Sequence, residues 1–147
     1  NVWAGLKLTN APEVATDANQ AYFNFLTDAD NSGQTYTDFT KLHFVHSIGG
    51  TDYISQLPIT VAATTIYHLR IVFDSDRKLS IFVNGQQYNV TSTSGSTGGT
   101  AVTTGTTKSA AMTNDVDLIP YIGIEANAGA AEAIHCHYVA ASRIINE

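Results

Sequence analysis

Tyr67-His68-Leu69-Arg70-Ile71-Val72-Phe73-Asp74, the polar run Ser75-Asp76-Arg77-Lys78, and then Leu79-Ser80-Ile81-Phe82-Val83-Asn84-Gly85-Gln86-Gln87-Tyr88-Asn89-Val90 form the stretch that decides the fold. Tyr67, Leu69, Ile71 and Phe73 alternate with more polar neighbours, the period of two expected of a half-buried strand. Asn84-Gly85 between two apolar runs accepts the positive φ angles of a type I′ turn, whose twist matches the strands it joins. The reading gives three consecutive antiparallel strands, at about 65–74, 79–84 and 86–91.

Outward from this meander the same texture recurs. Trp3–Leu8, Ala21–Leu26 and Leu42–Ile48 are short apolar runs bounded by Asn, Asp, Gly and Thr, and each reads as a strand. Ile119–Glu125 and Ala133–Ala140 continue the series downstream, with the Ala-rich stretch 128–133 between them read as a turn because Gly129 and the β-branched residues that follow disfavour a helix. Little helix is expected. About nine short strands separated by polar turns predict an all-β chain, an antiparallel β-sandwich or jelly roll, with residues 1–147 as a single domain. One segment breaks the rhythm: 91–113 is dominated by Thr, Ser and Gly. It is expected to be a surface loop, or an arm ordered by a neighbouring subunit, because it offers little apolar surface to bury.

Composition narrows the function. Lys and Arg number 7 against 13 Asp and Glu, a net charge of −6 with no basic cluster, which opposes binding to nucleic-acid phosphates. No run approaches the ~18 apolar residues of a membrane span, so no membrane partner is expected. Charged residues make up only 14% of the chain, so its polarity comes from Ser, Thr, Asn and Gln. A neutral polar surface costs little to desolvate and suits packing against other proteins or copies of the same chain. The single Cys136 excludes an internal disulfide and a cysteine metal cluster.

The words "YHLRIVFD", "FVNG" (Phe82–Gly85) and "LIPYIGI" (Leu118–Ile124), in that order and followed by a closing segment ending in Ser142-Arg143-Ile144, resemble the concanavalin A-like (laminin G-like) jelly roll. The resemblance covers Tyr67 to Ile144, with Trp3–Leu8 and Gln20–Phe23 less specifically similar to the front strands. The early "GLKLTN" and the Ala-rich turn after "LIPYIGI" look like such domains in tailed-bacteriophage virion proteins: capsid decoration proteins, head fibres and tail modules. The resemblance implies a non-enzymatic structural protein on the phage particle surface, with capsid or tail proteins and copies of itself as partners. A lectin-like, carbohydrate-binding module for host-surface glycans is the alternative.

Catalytic and metal constellations gain little from the sequence, and no catalytic, cofactor-binding or metal residue is assigned. Glycosidases need two carboxylates across a bond. The only Glu residues are Glu13, Glu125, Glu132 and Glu147, and the pairs Asp74/Asp76 and Asp115/Asp117 fall at strand ends, where caps are expected. Asp28-Ala29-Asp30-Asn31-Ser32-Gly33 opens like a calcium loop, but the twelfth position, which needs Glu, is Phe39. His135 and His137 would share one strand face without a third zinc ligand, with Cys136 on the opposite, core side. His43 and His46 should lie on opposite faces, His68 on a polar one. Tyr36, Tyr53 and Tyr88 are the candidate sugar platforms, whereas Trp3 is expected in the core. Asn89-Val90-Thr91 is a glycosylation sequon without other support.

Overall fold

The computed structural model describes residues 1–9, 17–27, 35–126 and 133–142. Within them every regular element is a strand, in chain order β1 (Val2–Lys7), β2 (Gln20–Phe25), β3 (Thr35–Tyr36), β4 (Lys41–Ile48), β5 (Thr51–Thr60), β6 (Leu69–Phe73), β7 (Leu79–Val83), β8 (Gln86–Tyr88), β9 (Thr97–Gly98), β10 (Thr100–Ala101) and β11 (Ile119–Ile124). The predicted meander is present as β6–β7–β8, a three-stranded antiparallel sheet. Its turn forms as the residues dictate, with φ of 52° at Asn84 and 82° at Gly85.

A six-stranded sheet, in the order β10-β5-β4-β2-β1-β11, faces this small sheet. Residues paired directly across antiparallel strands share a face. The register therefore sets Ala21, Phe23, Phe44 and Leu57 on the inner face, against Leu79, Ile81 and Val83 of β7 in one buried apolar cluster. Fully burying side chains of this kind contributes about 1.5–3 kcal/mol each, which is what binds the two sheets into a β-sandwich.

The longest strand, β5, is one that local pattern does not announce. Gly49 and Gly50, with φ of 57° and 87°, turn β4 directly into it. Its central Ser55 and Gln56 and its Pro58 mask the alternation of Tyr53, Leu57 and Ile59.

Segment 91–113 is not a loose loop, contrary to the sequence reading. It is held by hydrogen bonds to its own domain and by Met112, which joins the inner core with Val102 packed against it. β9 pairs in parallel with β3, and β10 with β5. The N–H groups of Gly95, Val102, Gly105, Ser109 and Met112 donate to the carbonyls of Asp52, Gln56, Gln87, Leu79 and Arg77. Asn89 donates to Thr103 Oγ1 at 3.1 Å and accepts from the Thr107 N–H at 3.0 Å, so the sequon asparagine clamps the segment. The segment thus laces the β5 edge of the large sheet to the β8 edge of the small one.

The segment 133–142 departs from expectation in the opposite sense. It was expected to be a strand; it has no ladder partner and is exposed throughout, with Tyr138 72% and Val139 58% accessible. Extended preference alone does not make a strand, because its backbone groups need an adjacent edge. Cys136, expected in the core, is exposed with it. Trp3 is buried as expected, lying across Gly123, its partner on β11, and stacked on Tyr121 at 6.1 Å.

A Cβ at Gly123 would land on the Trp3 indole. Gly123→Ala is therefore expected to cost about 1–3 kcal/mol in urea unfolding followed by the fluorescence of Trp3. Gly95→Ala, where an added Cβ meets nothing within 4 Å, should stay within about 0.5 kcal/mol of the parent. Equal unfolding midpoints for the two variants would contradict the packing of Trp3 on β11.

Candidate functional site

The densest gathering of polar side chains lies where a solvent face would be expected, on the outer side of the six-stranded sheet. Lys7, Gln20, Asn24, His43 and Ser47 all sit on that face by register and are all buried. At the Asn24 and His43 end, β3 and the Gly98-Gly99 corner fold over the face. Tyr36 stacks on His43 with ring centroids 4.1 Å apart, and its hydroxyl donates to Asn24 Oδ1 at 2.7 Å. Gly99, at φ 67°, brings its backbone so close that a Cβ would stand 3.2 Å from Ile54 Cγ2 and 3.4 Å from His43 Cδ2.

Gln20, Asn24 and Ser47 hydrogen-bond within this layer and to its margin, whereas Gln20 Oε1 and both His43 ring nitrogens are buried without a partner. Asn24 Nδ2 donates to Asn1 Oδ1 and to the Val2 carbonyl, while Gln20 Nε2 donates to Ser47 Oγ at 3.0 Å and Ser47 in turn donates to Asp52. Lys7 Nζ lies 4.8 Å from the centroid of the Tyr121 ring. Asp17 accepts from the backbone N–H groups of Leu8 and Thr9 and from the Thr9 hydroxyl, each at 2.9 Å, and pins the end of β1.

His43 and His46 lie on opposite faces, as the spacing predicts, so they cannot act on one reacting atom. Burial holds His43 below the usual imidazole value; Gln56 and the Lys41 backbone oppose that shift without reaching good hydrogen-bonding geometry at either ring nitrogen. His46, between Phe44 and Tyr53 on the inner side, is pushed down to about 4 by burial. Both rings are neutral packing elements at pH 7.

The remaining candidates are dispersed. Asp74 is a cap: Oδ1 accepts from the N–H groups of Asp76 and Lys78 at 2.9 Å, and Oδ2 accepts from Lys108 at 2.8 Å. Lys108 first, with those backbone donors, holds the Asp74 carboxyl below its ordinary value. Asp115 occupies a left-handed turn position, φ 55°, and is bonded by Asn114. His135 and His137 are exposed on the unpaired segment, and His68 is exposed at the start of β6. Among the described residues no three His, Cys, Asp or Glu side chains gather as a metal site. Asp28 and Asp30 lie outside the described residues, as do Glu13, Glu132 and Glu147.

The tyrosines proposed as sugar platforms are engaged. Tyr36 is 2% accessible, Tyr53 stacks on His46 at 4.7 Å, and Tyr88 packs against the inner core. The surface that sequence reasoning did not foresee is a set of exposed hydroxyls on a hydrogen-bonded segment. Ser92, Thr93, Ser94, Ser96 and Thr97, then Thr103, Thr104, Thr106 and Thr107, are exposed on a backbone fixed by the bonds described above. No protein-family model, no curated protein and no solved structure matches the chain.

The depressed His46 gives the fold a pH dependence of defined sign. Between pH 6.5 and about 4 the unfolded chain takes up a proton that the buried ring refuses. Stability is therefore full above pH 6.5 and falls as the pH drops through that window, by about 3 kcal/mol from this residue. His46→Phe, which keeps the stack between Phe44 and Tyr53, should flatten that part of a urea-midpoint-versus-pH curve. An unchanged slope in the variant would show that the ring titrates freely in the folded protein.

Proposed function

We propose that this chain is a non-enzymatic structural module of a bacteriophage particle. It is a concanavalin A-like jelly roll that decorates or cements the shell, or forms part of a head fibre, and associates with copies of itself. The observation that supports the reading best is the set of exposed hydroxyls on segment 91–113. Its side chains are neutral and mostly β-branched, and its backbone is already fixed by the domain that carries it. Binding through such a set orders little new chain and desolvates no full charge, two of the main costs of protein association.

The low charge of the whole chain agrees with this reading, as does the single ion pair found among the described residues, Lys108–Asp74. The resemblance of the sequence to phage virion domains points to a capsid or tail protein as the partner. The glycan-binding alternative loses support because Tyr36, Tyr53 and Tyr88 are committed to packing.

Cosedimentation of the purified protein with intact phage capsids, beside a panel of bacterial surface polysaccharides, tests the proposal. Saturable capsid binding is expected, without retention on glycans. Replacing the exposed Ser94 and Thr106 together by Glu should weaken capsid binding at least ~10-fold, since each adds a charge that must be desolvated. Glycan binding without capsid affinity would overturn the proposal.

A further inference from the structure

The two long sides of the sandwich differ. On one, segment 91–113 seals the gap between β5 and β8. On the other, the six-stranded sheet runs on past the three-stranded one. β6 is the last strand of the small sheet and lies over β2, so nothing among the described residues covers the inner face of β1 and β11.

Burial along that face records the gap. Following the register from strand to strand, Phe44 on β4 is 0% accessible and Phe23 on β2 is 2%. Ala4 on β1 is half-buried, and Ile122 on β11 is 39% accessible. Val2, Leu6 and Ile124 on the same face are also only partly covered. The inner side of the β6 edge is open too, with Phe73 37% accessible. The uncovered strip is the inner face of β1 and β11, beside a β6 edge that has no ladder neighbour among the described residues.

The same chain carries an exposed segment, 133–142, that belongs to no sheet and whose sequence alternates as a strand would. Along 133–142, Ile134, Cys136, Tyr138 and Ala140 fall on one side and His135, His137, Val139 and Ala141 on the other. The first side is an apolar stripe, exposed in this arrangement, with Ile134 41% and Tyr138 72% accessible. We infer that residues 133–142 are the fourth strand of the small sheet: they dock on the free edge of β6, with Ile134, Cys136 and Tyr138 turned onto Ala4, Ile122 and Ile124.

Pairing with β11 instead would lengthen the large sheet and leave the strip bare; only the β6 edge places the segment over it. The chain can make the connection. Residues 125–132 reach up to about 26 Å when extended, and stacked sheets lie about 10 Å apart. A segment tethered this closely meets its own slot at an effective concentration near millimolar, which favours its own domain over a second copy. Docking leaves His135 and His137 on the solvent side of the small sheet and closes the sandwich on both flanks.

Cys136 is the only thiol in the chain and therefore reports on the stripe directly. With the strand docked, its reaction with an aromatic disulfide reagent should be at least ~100-fold slower than in urea, since reaction waits on opening. That protection should be the same at every protein concentration tested, whatever the mass given by light scattering. Tyr138→Asp, which places a charge on the stripe, should restore fast reaction, and hydrogen exchange should then rise in 134–140 and in β6 together while β4 stays protected. A thiol in the parent protein as reactive as in urea would overturn the inference. So would protection that appears only with dimer formation, because the slot would then belong to a second copy.

Discussion

Everything in this structure depends on one contact surface, the stripe Leu79–Ile81–Val83 of β7 lying on Ala21, Phe23, Phe44 and Leu57 of the large sheet. Neither sheet can stand alone. A three-stranded meander with one greasy face is unstable in water until that face is covered, and the large sheet has the same requirement on a larger scale. Their mutual burial fixes the register of both, because a slip by one residue would turn each inner stripe outward.

The second face of the large sheet departs from the usual pattern of one buried and one wetted side. Its strands carry Lys7, Gln20, Asn24, His43 and Ser47 where alternation predicts water, yet all are buried. Covering such residues costs least where they find partners: Gln20, Asn24 and Ser47 bond one another, Tyr36 or Asp52, and Lys7 lies over Tyr121, while Gln20 Oε1 and both His43 ring nitrogens are buried without a hydrogen bond. The result is a buried polar layer that ties the strands of the large sheet together. The Thr/Ser/Gly segment serves the same end by backbone pairing, and in doing so presents its hydroxyls outward on a fixed frame.

How much of this was legible depends on the range of the interaction. β6 was read from alternation, β7 and β8 from the apolar runs flanking Asn84-Gly85, and β1, β2, β4 and β11 from short apolar runs bounded by turn residues, because these signals are local. β5 was not, since its Ser55 buries itself by accepting a hydrogen bond from the Thr91 N–H, a contact no local window contains. The anchoring of 91–113 was invisible for the same reason: its partners Asp52, Gln56, Leu79 and Arg77 are distant in sequence. The strand read in Ala133–Ala140 is not formed, because an alternating pattern does not supply the edge it would pair with. Of the candidate residues, the opposed faces of His43 and His46 and the capping role of Asp74 followed from spacing. The commitment of Tyr36, Tyr53 and Tyr88 to packing did not.

The face-to-face packing of the two sheets is tested most directly by proton–proton NOEs on protein labelled at the Leu, Ile and Val methyl groups. The structure predicts cross-peaks between the ring protons of Phe23 and Phe44 and the methyl groups of Leu79, Ile81 and Val83, residues of one buried cluster drawn from both sheets. If those methyl groups show NOEs only within the meander, the sheets do not stack in this way. The register of the inner face, the sealing role of segment 91–113 and the open flank beside β6 would then fall with that contact.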